Sequence, residues 1–183
     1  MSSAGPVEQH HKLAPPASSI RVGLVTASDS RTPATNTGGQ TLRRLIEQAG
    51  FTVAVEALLA EEPSALREQV AALVKAGAVD VVLVTGGTGV APRDRTPEAI
   101  APLFQLRLPG FGELFRMLSY QAIGPAAMLS RAEAGVAGGV VVFLLPGSPA
   151  AVELAVSKLI VPELAHLVGQ LRRPARGDAS HGG

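Results

Sequence analysis

Apolar runs alternate along the chain with segments in which apolar residues recur every three or four positions. Four runs rich in aliphatic and β-branched residues predict buried strands at 20–26, 51–58, 79–85 and 140–145. A helical pattern occupies 39–49, 64–76, 112–121 and 149–171. Strands and helices in alternation predict an α/β fold of three layers (α/β/α) with a mostly parallel central sheet.

Capping and turn residues predict where several elements begin. Ser64 and Thr96 are expected to cap helices at their amino ends. Pro162 predicts either a kink in the last helical segment or its division into two helices. A hairpin is expected where 132–136 meets 140–145, because two glycines lie between these segments.

The chain is expected to fold as one domain. It has 183 residues, of which 46% are hydrophobic and 17% charged, and this length and composition allow a substantial core. The predicted domain covers residues 20–171. The polar segments 1–19 and 172–183 are expected to be disordered tails.

Composition excludes several functions. The chain has no cysteine, which excludes disulfides, thiolate metal sites and a cysteine nucleophile. No run reaches the roughly 18 apolar residues of a membrane-spanning helix. The amino terminus lacks the apolar core of a secretory signal, so we expect a cytoplasmic protein without a membrane partner. A net charge of +1 and few aromatic residues argue against nucleic acid as a partner, although Arg172, Arg173 and Arg176 form a small basic group.

A glycine-rich segment follows the third predicted strand, and parallel sheets bind ligands at this end of their strands. In this segment, V-T-G-G-T-G, the backbone of Gly86, Gly87 and Gly89 can approach a ligand closely. The hydroxyls of Thr85 and Thr88 can contact phosphate. The segment matches neither the Walker A pattern nor the dinucleotide-binding fingerprint. From the glycines alone, a phosphate-binding loop and a simple chain reversal are both open.

Asp94 follows this loop, five residues after its last glycine. A carboxylate beside a phosphate site is a typical ligand of Mg²⁺, since the ion joins protein and phosphate oxygens. The alternative is a surface aspartate paired with Arg93 or Arg95. The residue types leave both interpretations open.

Two other loops that follow strands carry residues suited to binding anions. Pro146, Gly147 and Ser148 join the last strand to a helix and offer backbone N–H groups, with helix capping by Ser148 as the alternative. Thr37 and Gly38 open a helix after the first strand and offer further donors, with capping by Thr37 as the alternative.

Ser28 and Asp29 lie nearer the end of the first strand, where a ligand contact and a turn built by their side chains are both open. His166 is the only histidine of the predicted domain and is expected on the surface, whereas His10 and His11 lie in the amino-terminal tail. No Ser-His-Asp or histidine–metal arrangement is therefore available. Glycine loops, hydroxyls and carboxylates without a usable histidine favour phosphate and Mg²⁺ chemistry.

Five motifs in order resemble the MoaB/Mog family of molybdenum cofactor biosynthesis, whose domain also occurs in gephyrin and plant Cnx proteins. They extend over roughly residues 20–170 and are V-T-G-G-T-G, D-x-T-P-E-A, P-G-F-G-E-x-F-R, L-S-R-A-x-A-G and L-P-G-S-P. The resemblance implies a molybdopterin-binding α/β fold that assembles as a trimer or as a hexamer of two trimers. It also implies transfer of AMP from ATP to the terminal phosphate of molybdopterin, with Mg²⁺ required and pyrophosphate released.

The resemblance further implies roles for individual residues. The glycine loop and Asp94 match the nucleotide and metal site of the family. Glu61, after the second strand, is implied to be the second metal carboxylate and to act with Asp94 in catalysis. Ser130 and Arg131 match the motif on the pterin side, as does the segment 146–148.

Two positions depart from the family pattern. Thr35 stands where Asp is common in the family. Glu61 stands where the Mog branch often has Asp, and a glutamate at this position is the pattern of the MoaB branch. Either change affects a carboxylate that the chemistry would use. A non-catalytic paralogue that binds a pterin or another protein through the same surface is therefore the alternative to the enzyme.

Overall fold

The computed structural model describes residues 14–173. Within that part of the chain, one sheet contains the strands β1 (Arg21–Ala27), β2 (Thr52–Leu59), β3 (Val81–Thr85), β4 (Leu106–Arg107), β5 (Glu133–Ala137) and β6 (Val140–Leu145). Their order across the sheet is β2-β1-β3-β6-β5-β4. The first four strands in this order are parallel, whereas β5 is antiparallel to both β6 and β4. The predicted mostly parallel sheet is confirmed.

The hairpin predicted between 132–136 and 140–145 is also confirmed. β5 and β6 pair from Glu133 opposite Leu144 to Ala137 opposite Val140. Gly138 and Gly139 make the turn with φ angles of 55° and 80°, a region that glycine enters without a side-chain clash. The two-residue strand β4 was not predicted, because so short a segment has no detectable alternation of apolar and polar residues.

Helices cover both faces of the sheet. They are α1 (Thr37–Gln48), α2 (Pro63–Ala76), α3 (Thr96–Ile100), α4 (Pro109–Ile123), α5 (Pro149–Ala155) and α6 (Val161–Leu171). A π-helical segment, Val156–Ile160, joins α5 to α6, so Pro162 lies in the first turn of a second helix, one of its two predicted outcomes. Of the helices described, none has both the length and the apolar character needed to cross a membrane.

The central strands divide the core in two, because successive side chains of a strand point to opposite faces. On one face, Val81 and Leu83 of β3 belong to a cluster with apolar residues of α1, α4, α5 and α6. On the other face, Val82 and Val84 belong to a cluster with residues of α2 and α3. This arrangement confirms the three-layer fold and leaves the ends of the strands open to ligands.

The first helix is capped by a residue other than the predicted one. Asn36, rather than Thr37, is the cap of α1, and its side-chain oxygen accepts a hydrogen bond from the Gly39 amide at 3.0 Å. The Asn36 side-chain nitrogen donates to the Thr26 hydroxyl at 3.0 Å. Asn36 therefore fixes the start of α1 against the end of β1.

Two other predicted caps lie inside their helices. α2 begins at Pro63, whose fixed φ suits the first helical position, so Ser64 is in the first turn. Thr96 is the first residue of α3, and its hydroxyl donates to the Gly86 carbonyl at 2.9 Å. Its side chain therefore holds the glycine loop and does not cap the helix.

Ordered structure begins before the predicted boundary at residue 20. Ala17–Ser19 form a 3₁₀ turn, and the Ser18 carbonyl accepts a hydrogen bond from the Thr52 hydroxyl at 3.0 Å. At the other end, Arg172 lies beyond α6 and pairs with Asp80 at 2.9 Å. The rest of the two predicted tails, with His10, His11 and Arg176, lies outside the described residues.

Candidate functional site

A cavity of about 380 Å³ lies at the carboxyl ends of the parallel strands. Segments that follow β1, β2, β3 and β6 all contribute to its walls. Most of the predicted site residues line it, namely Ser28, Glu61, Thr85, Gly86, Gly87, Thr88, Gly89, Asp94, Pro146, Gly147 and Ser148. The sheet therefore brings together loops that are far apart in sequence, as parallel strands do at this edge.

The glycine loop runs close to neighbouring backbone, and this contact requires glycine. Gly86 has a φ of +106°, and a Cβ added there would lie 2.2 Å from the Ala27 carbonyl oxygen. Gly87 has a φ of +62°, and its added Cβ would lie 2.4 Å from the Thr96 hydroxyl oxygen. The Thr85 hydroxyl donates to the Pro146 carbonyl at 2.8 Å. Thr85 therefore joins two loops, and this hydrogen bond engages the hydroxyl that was predicted to contact phosphate.

Backbone donors of these loops are available to a ligand. Among the described residues, no group accepts a hydrogen bond from the amides of Gly87, Thr88, Gly89, Gly147 and Ser148. The Thr88 hydroxyl likewise has no partner in residues 14–173, although Thr88 is only 3% exposed. No buried side-chain nitrogen or oxygen of the described residues lacks a partner, so the Thr88 hydroxyl is accessible rather than buried, and these donors around one cavity suit an anion.

Two carboxylates face the same cavity. Asp94 Oδ2 accepts a hydrogen bond from the Ala91 amide at 2.9 Å, which holds the side chain across the loop. Burial raises the pKa of Glu61, and the negative charges of Asp29 and Asp94 raise it further. The Glu61 amide donates to Asp29 Oδ1 at 3.0 Å, and Asp29 pairs with Arg93. Negative charge is therefore concentrated at one side of the cavity.

These carboxylates suit Mg²⁺ better than a metal held by protein ligands alone. Residues 14–173 contain no group of three or more His, Cys, Asp or Glu side chains able to hold a metal ion. Mg²⁺ is commonly bound through one or two carboxylates, with phosphate oxygens and water as its other ligands. Glu61 and Asp94 fit this pattern, since a cation would also relieve the repulsion that raises the pKa of Glu61.

Arg131, implied to face the pterin, contacts the glycine loop. Its amide donates to the Thr88 carbonyl at 2.9 Å, and its Nε donates to the Gly89 carbonyl at 2.7 Å. Its other guanidinium nitrogens donate to the Asp94 carbonyl and pair with Glu98 of α3. Arg131 does not line this cavity but lines a second one of about 370 Å³, together with Arg107 and Arg116. Its contacts connect β5 to the loop that carries Asp94.

Three other predicted binding residues also lie outside the cavity lining. Ser130 precedes β5, and its hydroxyl accepts a hydrogen bond from the Ala132 amide at 3.4 Å. The Thr37 hydroxyl accepts one from Arg31 at 2.9 Å. A Cβ added at Gly38 would lie 2.6 Å from the Gly147 carbonyl oxygen, so this glycine allows α1 to approach the loop after β6.

The structure adds lining residues that were not among the individual predicted site residues, namely Thr26, Ala27, Ser30, Arg31 and Asn36. Arg31 is the only basic side chain among the described residues that line the cavity, and it also donates to the Thr35 carbonyl at 2.8 Å. No local pattern marks Arg31 or Asn36, because the irregular segment between β1 and α1 has no periodicity. Thr35, the departure from the family pattern, does not line the cavity.

The fold and the cavity together define an α/β protein in which backbone amides and two carboxylates line one cavity at the carboxyl ends of the parallel strands. A family model described as a probable molybdopterin binding domain matches residues 23–166. Molybdenum cofactor biosynthesis protein B of Bacillus subtilis (strain 168) is 47% identical over 168 residues, which cover 91% of this chain and 98% of that protein.

Solved structures of related proteins have the same fold. A crystal structure of a molybdenum cofactor biosynthesis protein B superposes with a TM-score of 0.84 at 44% identity, covering 87% of this chain and 100% of that one. The tungsten cofactor synthesizing protein MoaB of Pyrococcus furiosus superposes with a TM-score of 0.76 at 33% identity, covering 84% and 98%. The chain belongs to the MoaB/Mog family of molybdenum cofactor biosynthesis proteins.

Proposed function

We propose that the protein takes part in molybdenum cofactor biosynthesis by transferring AMP from ATP to the terminal phosphate of molybdopterin. The observation that carries the proposal is the cavity itself, in which unpaired loop amides face the same space as Glu61 and Asp94. Amides suit the oxygens of a polyphosphate, and the carboxylates suit the Mg²⁺ that accompanies it. Phosphoryl-type transfer depends mainly on positioning and charge neutralisation, which this arrangement supplies.

In the proposed reaction, an oxygen of the molybdopterin phosphate attacks the α-phosphorus of ATP. A new P–O bond forms there, the bond to the bridging oxygen of the β-phosphate breaks, and pyrophosphate leaves with that electron pair. The amides of the glycine loop and of residues 147–148 hold phosphate oxygens, and Arg31 adds positive charge at the cavity wall. Glu61 and Asp94 would hold Mg²⁺, which would supply positive charge to neutralise the phosphates.

The test is product formation. Purified protein is incubated with Mg²⁺, ATP and molybdopterin, and adenylyl-molybdopterin and pyrophosphate are measured by mass spectrometry. Asp94→Asn is expected to abolish turnover and to leave the thermal unfolding curve nearly unchanged. Glu62→Gln, an exposed carboxylate next to Glu61 that does not line the cavity, is the matched control and should remain active. Turnover by Asp94→Asn at the wild-type rate would contradict the metal role.

Pterin binding without transfer is the alternative. Molybdopterin should raise the melting temperature in either case, because a ligand of the folded state stabilises it. Bound pterin without product at saturating ATP would favour the non-catalytic paralogue. No shift at saturating pterin would argue against both functions.

We also propose that the protein is a homo-oligomer, with a trimer as the basic unit. Large apolar side chains are exposed along one side of α4 and on the 3₁₀ turn that follows it: Leu114, Met117, Tyr120, Ile123, Met128 and Leu129. A continuous exposed apolar surface of this kind is typical of an interface. Sedimentation should show a trimer or hexamer, and Met117→Glu should shift it towards monomer, whereas a monomeric wild type would refute the proposal.

A further inference from the structure

Glu98 of α3 is linked to the glycine loop through Arg131, although it lies outside the cavity. Its carboxylate pairs with one guanidinium nitrogen of Arg131, and Glu98 lines neither the cavity nor the second one beside Arg131. The other two guanidinium nitrogens donate to the carbonyls of Gly89 and Asp94. Because the guanidinium is planar and rigid, the partner of one nitrogen helps to set the direction of the other two.

The backbone of Glu98 has a fixed position, because α3 is held from two sides. Arg67 of α2 donates to the Ala99 carbonyl at 2.9 Å and to the Glu98 carbonyl at 3.3 Å. At the start of α3, the Thr96 amide donates to the Gly87 carbonyl at 3.0 Å. The Glu98 carboxylate therefore extends towards Arg131 from a helix that is itself attached to the glycine loop.

The segment that carries Asp94 depends on contacts with other parts of the structure. Residues 90–93 are exposed, and the amide and carboxylate of Asp94 both form hydrogen bonds within the segment. Arg93 pairs with Asp29, but its side chain is 72% exposed, and exposed ion pairs contribute little. The hydrogen bonds from Arg131 connect the segment to β5, so the direction of the Arg131 side chain affects where Asp94 lies.

A second carboxylate lies near Arg131. Glu133 of β5 lines the second cavity together with Arg131. Burial raises the pKa of Glu133, and the charges of Arg107 and Arg131 act against this effect. The hydrogen bond from Arg131 lowers the pKa of Glu98, which is therefore ionised at neutral pH. Without the charge on Glu98, we expect Arg131 to turn towards Glu133 and away from the loop carbonyls.

We propose that Glu98 is a positioning residue, which orients Arg131 so that Arg131 holds Asp94 towards the cavity. This inference rests on the proposed function and adds to it a residue that does not touch the ligand. The effect is on geometry more than on stability, because the Glu98 side chain is 48% exposed and its ion pair stabilises the fold little. Residues that orient the direct ligands of a metal commonly change metal affinity or activity about 10-fold to 100-fold when replaced.

The test is Glu98→Gln, which removes the charge and keeps the shape of the side chain. ATP binding is measured by calorimetry with Mg²⁺ and with EDTA, and adenylyl transfer is measured at varied Mg²⁺. The variant is expected to bind ATP about tenfold more weakly with Mg²⁺, with a smaller loss in EDTA, and to need about tenfold more Mg²⁺ for transfer. The KM for molybdopterin and the melting temperature should change little. Glu47→Gln is the matched control, because Glu47 is 49% exposed, pairs with Arg43 at 3.0 Å and lines neither cavity.

A double-mutant cycle tests whether Glu98 acts through Arg131. In the Arg131→Gln background, Glu98→Gln should have no further effect on ATP binding, and Glu98→Asp, which keeps the charge, should lie between the wild type and Glu98→Gln. Unchanged ATP affinity with Mg²⁺, equal losses with Mg²⁺ and EDTA, or losses that add in the double variant would each overturn the inference. A lower melting temperature with the Mg²⁺ response of the wild type would show a merely structural role and overturn it as well.

Failure of the proposed function gives a different result. A wild type that binds ATP more tightly with Mg²⁺ but forms no adenylyl-molybdopterin would refute the transfer alone, because the binding measurements still test Glu98. A wild type whose ATP binding is independent of Mg²⁺ would overturn both the metal site and the role of Glu98.

Discussion

Replacement of Arg131 by lysine separates two interpretations of this residue. The family motif places Arg131 on the pterin side, whereas in the structure its guanidinium donates to the carbonyls of Gly89 and Asp94 and pairs with Glu98. A lysine ammonium is a single point charge and lacks the planar fork of the guanidinium. We expect it to retain about one of these three contacts.

The expected loss follows from these contacts. Hydrogen bonds to charged groups contribute about 1.5–3 kcal/mol each, and the side chain is 34% exposed, so about 1–1.5 kcal/mol for each of two lost bonds is appropriate. The total of about 2–3 kcal/mol should lower the melting temperature by about 5–10 °C for a domain of this size. Displacement of the loop should lower kcat about 100-fold, since an error of about 1 Å in catalytic geometry has such an effect.

The assay is steady-state adenylyl transfer with Mg²⁺, ATP and molybdopterin each varied in turn, together with thermal unfolding. Arg131→Lys should lower kcat and raise the Mg²⁺ requirement, with little change in the KM for molybdopterin. Arg43→Lys is the matched control, because Arg43 pairs with Glu47 and Glu56 and lines neither this cavity nor the one beside Arg131. A variant that unfolds at the wild-type temperature and loses only affinity for molybdopterin would refute this reasoning and restore the pterin-side role.

Three further predictions concern stability. Gly86→Ala should destabilise more than Gly77→Ala, because an added Cβ meets the Ala27 carbonyl at 2.2 Å in the first case and no atom within 4 Å in the second. For Gly77→Ala, thermal unfolding should show a loss of stability of only about 1–2 kcal/mol, which is the cost of holding alanine in the left-handed conformation. Equal losses of stability in the two variants would contradict the close contact at Gly86. Glu61→Gln should raise the melting temperature of the ligand-free protein at pH 7. The raised pKa of Glu61 means that ionisation of its carboxyl group opposes folding. The gain in melting temperature should therefore vanish as the pH falls below the ordinary pKa range of a glutamate carboxyl group. A gain that persists in acid would exclude an electrostatic cause. Burial raises the pKa of Asp80, but hydrogen bonds from Arg21 and Arg172 outweigh it and lower the pKa below its usual value. Asp80→Asn should therefore destabilise by about 1.5–3 kcal/mol at pH 7, and by less in acid as Asp80 takes up a proton, whereas a loss independent of pH would argue against these ion pairs.

Local pattern was sufficient for five of the six described strands and for the loops that are proposed to bind the ligand. The apolar run over β3 predicted a central strand because both faces of that strand are covered, and the structure buries all five of its residues. The glycine loop was apparent because its conformation depends on residues next to one another in the chain. Gly86 and Gly87 have positive φ angles, which glycine adopts without a side-chain clash.

The distribution of side chains around the cavity depended on tertiary structure. Arg31 and Asn36 line it, whereas Arg131 turns away to hold the glycine loop, and no spacing in the sequence distinguishes these outcomes. Likewise, α4 and α5 pack side by side although the β5–β6 hairpin separates them in the sequence. The periodicity of apolar residues indicates which face of a helix or strand is buried. Contacts between elements that are distant in the sequence arise from packing. The sequence alone thus determined the layers and the family, and the packing of its elements decided which side chains meet at the site.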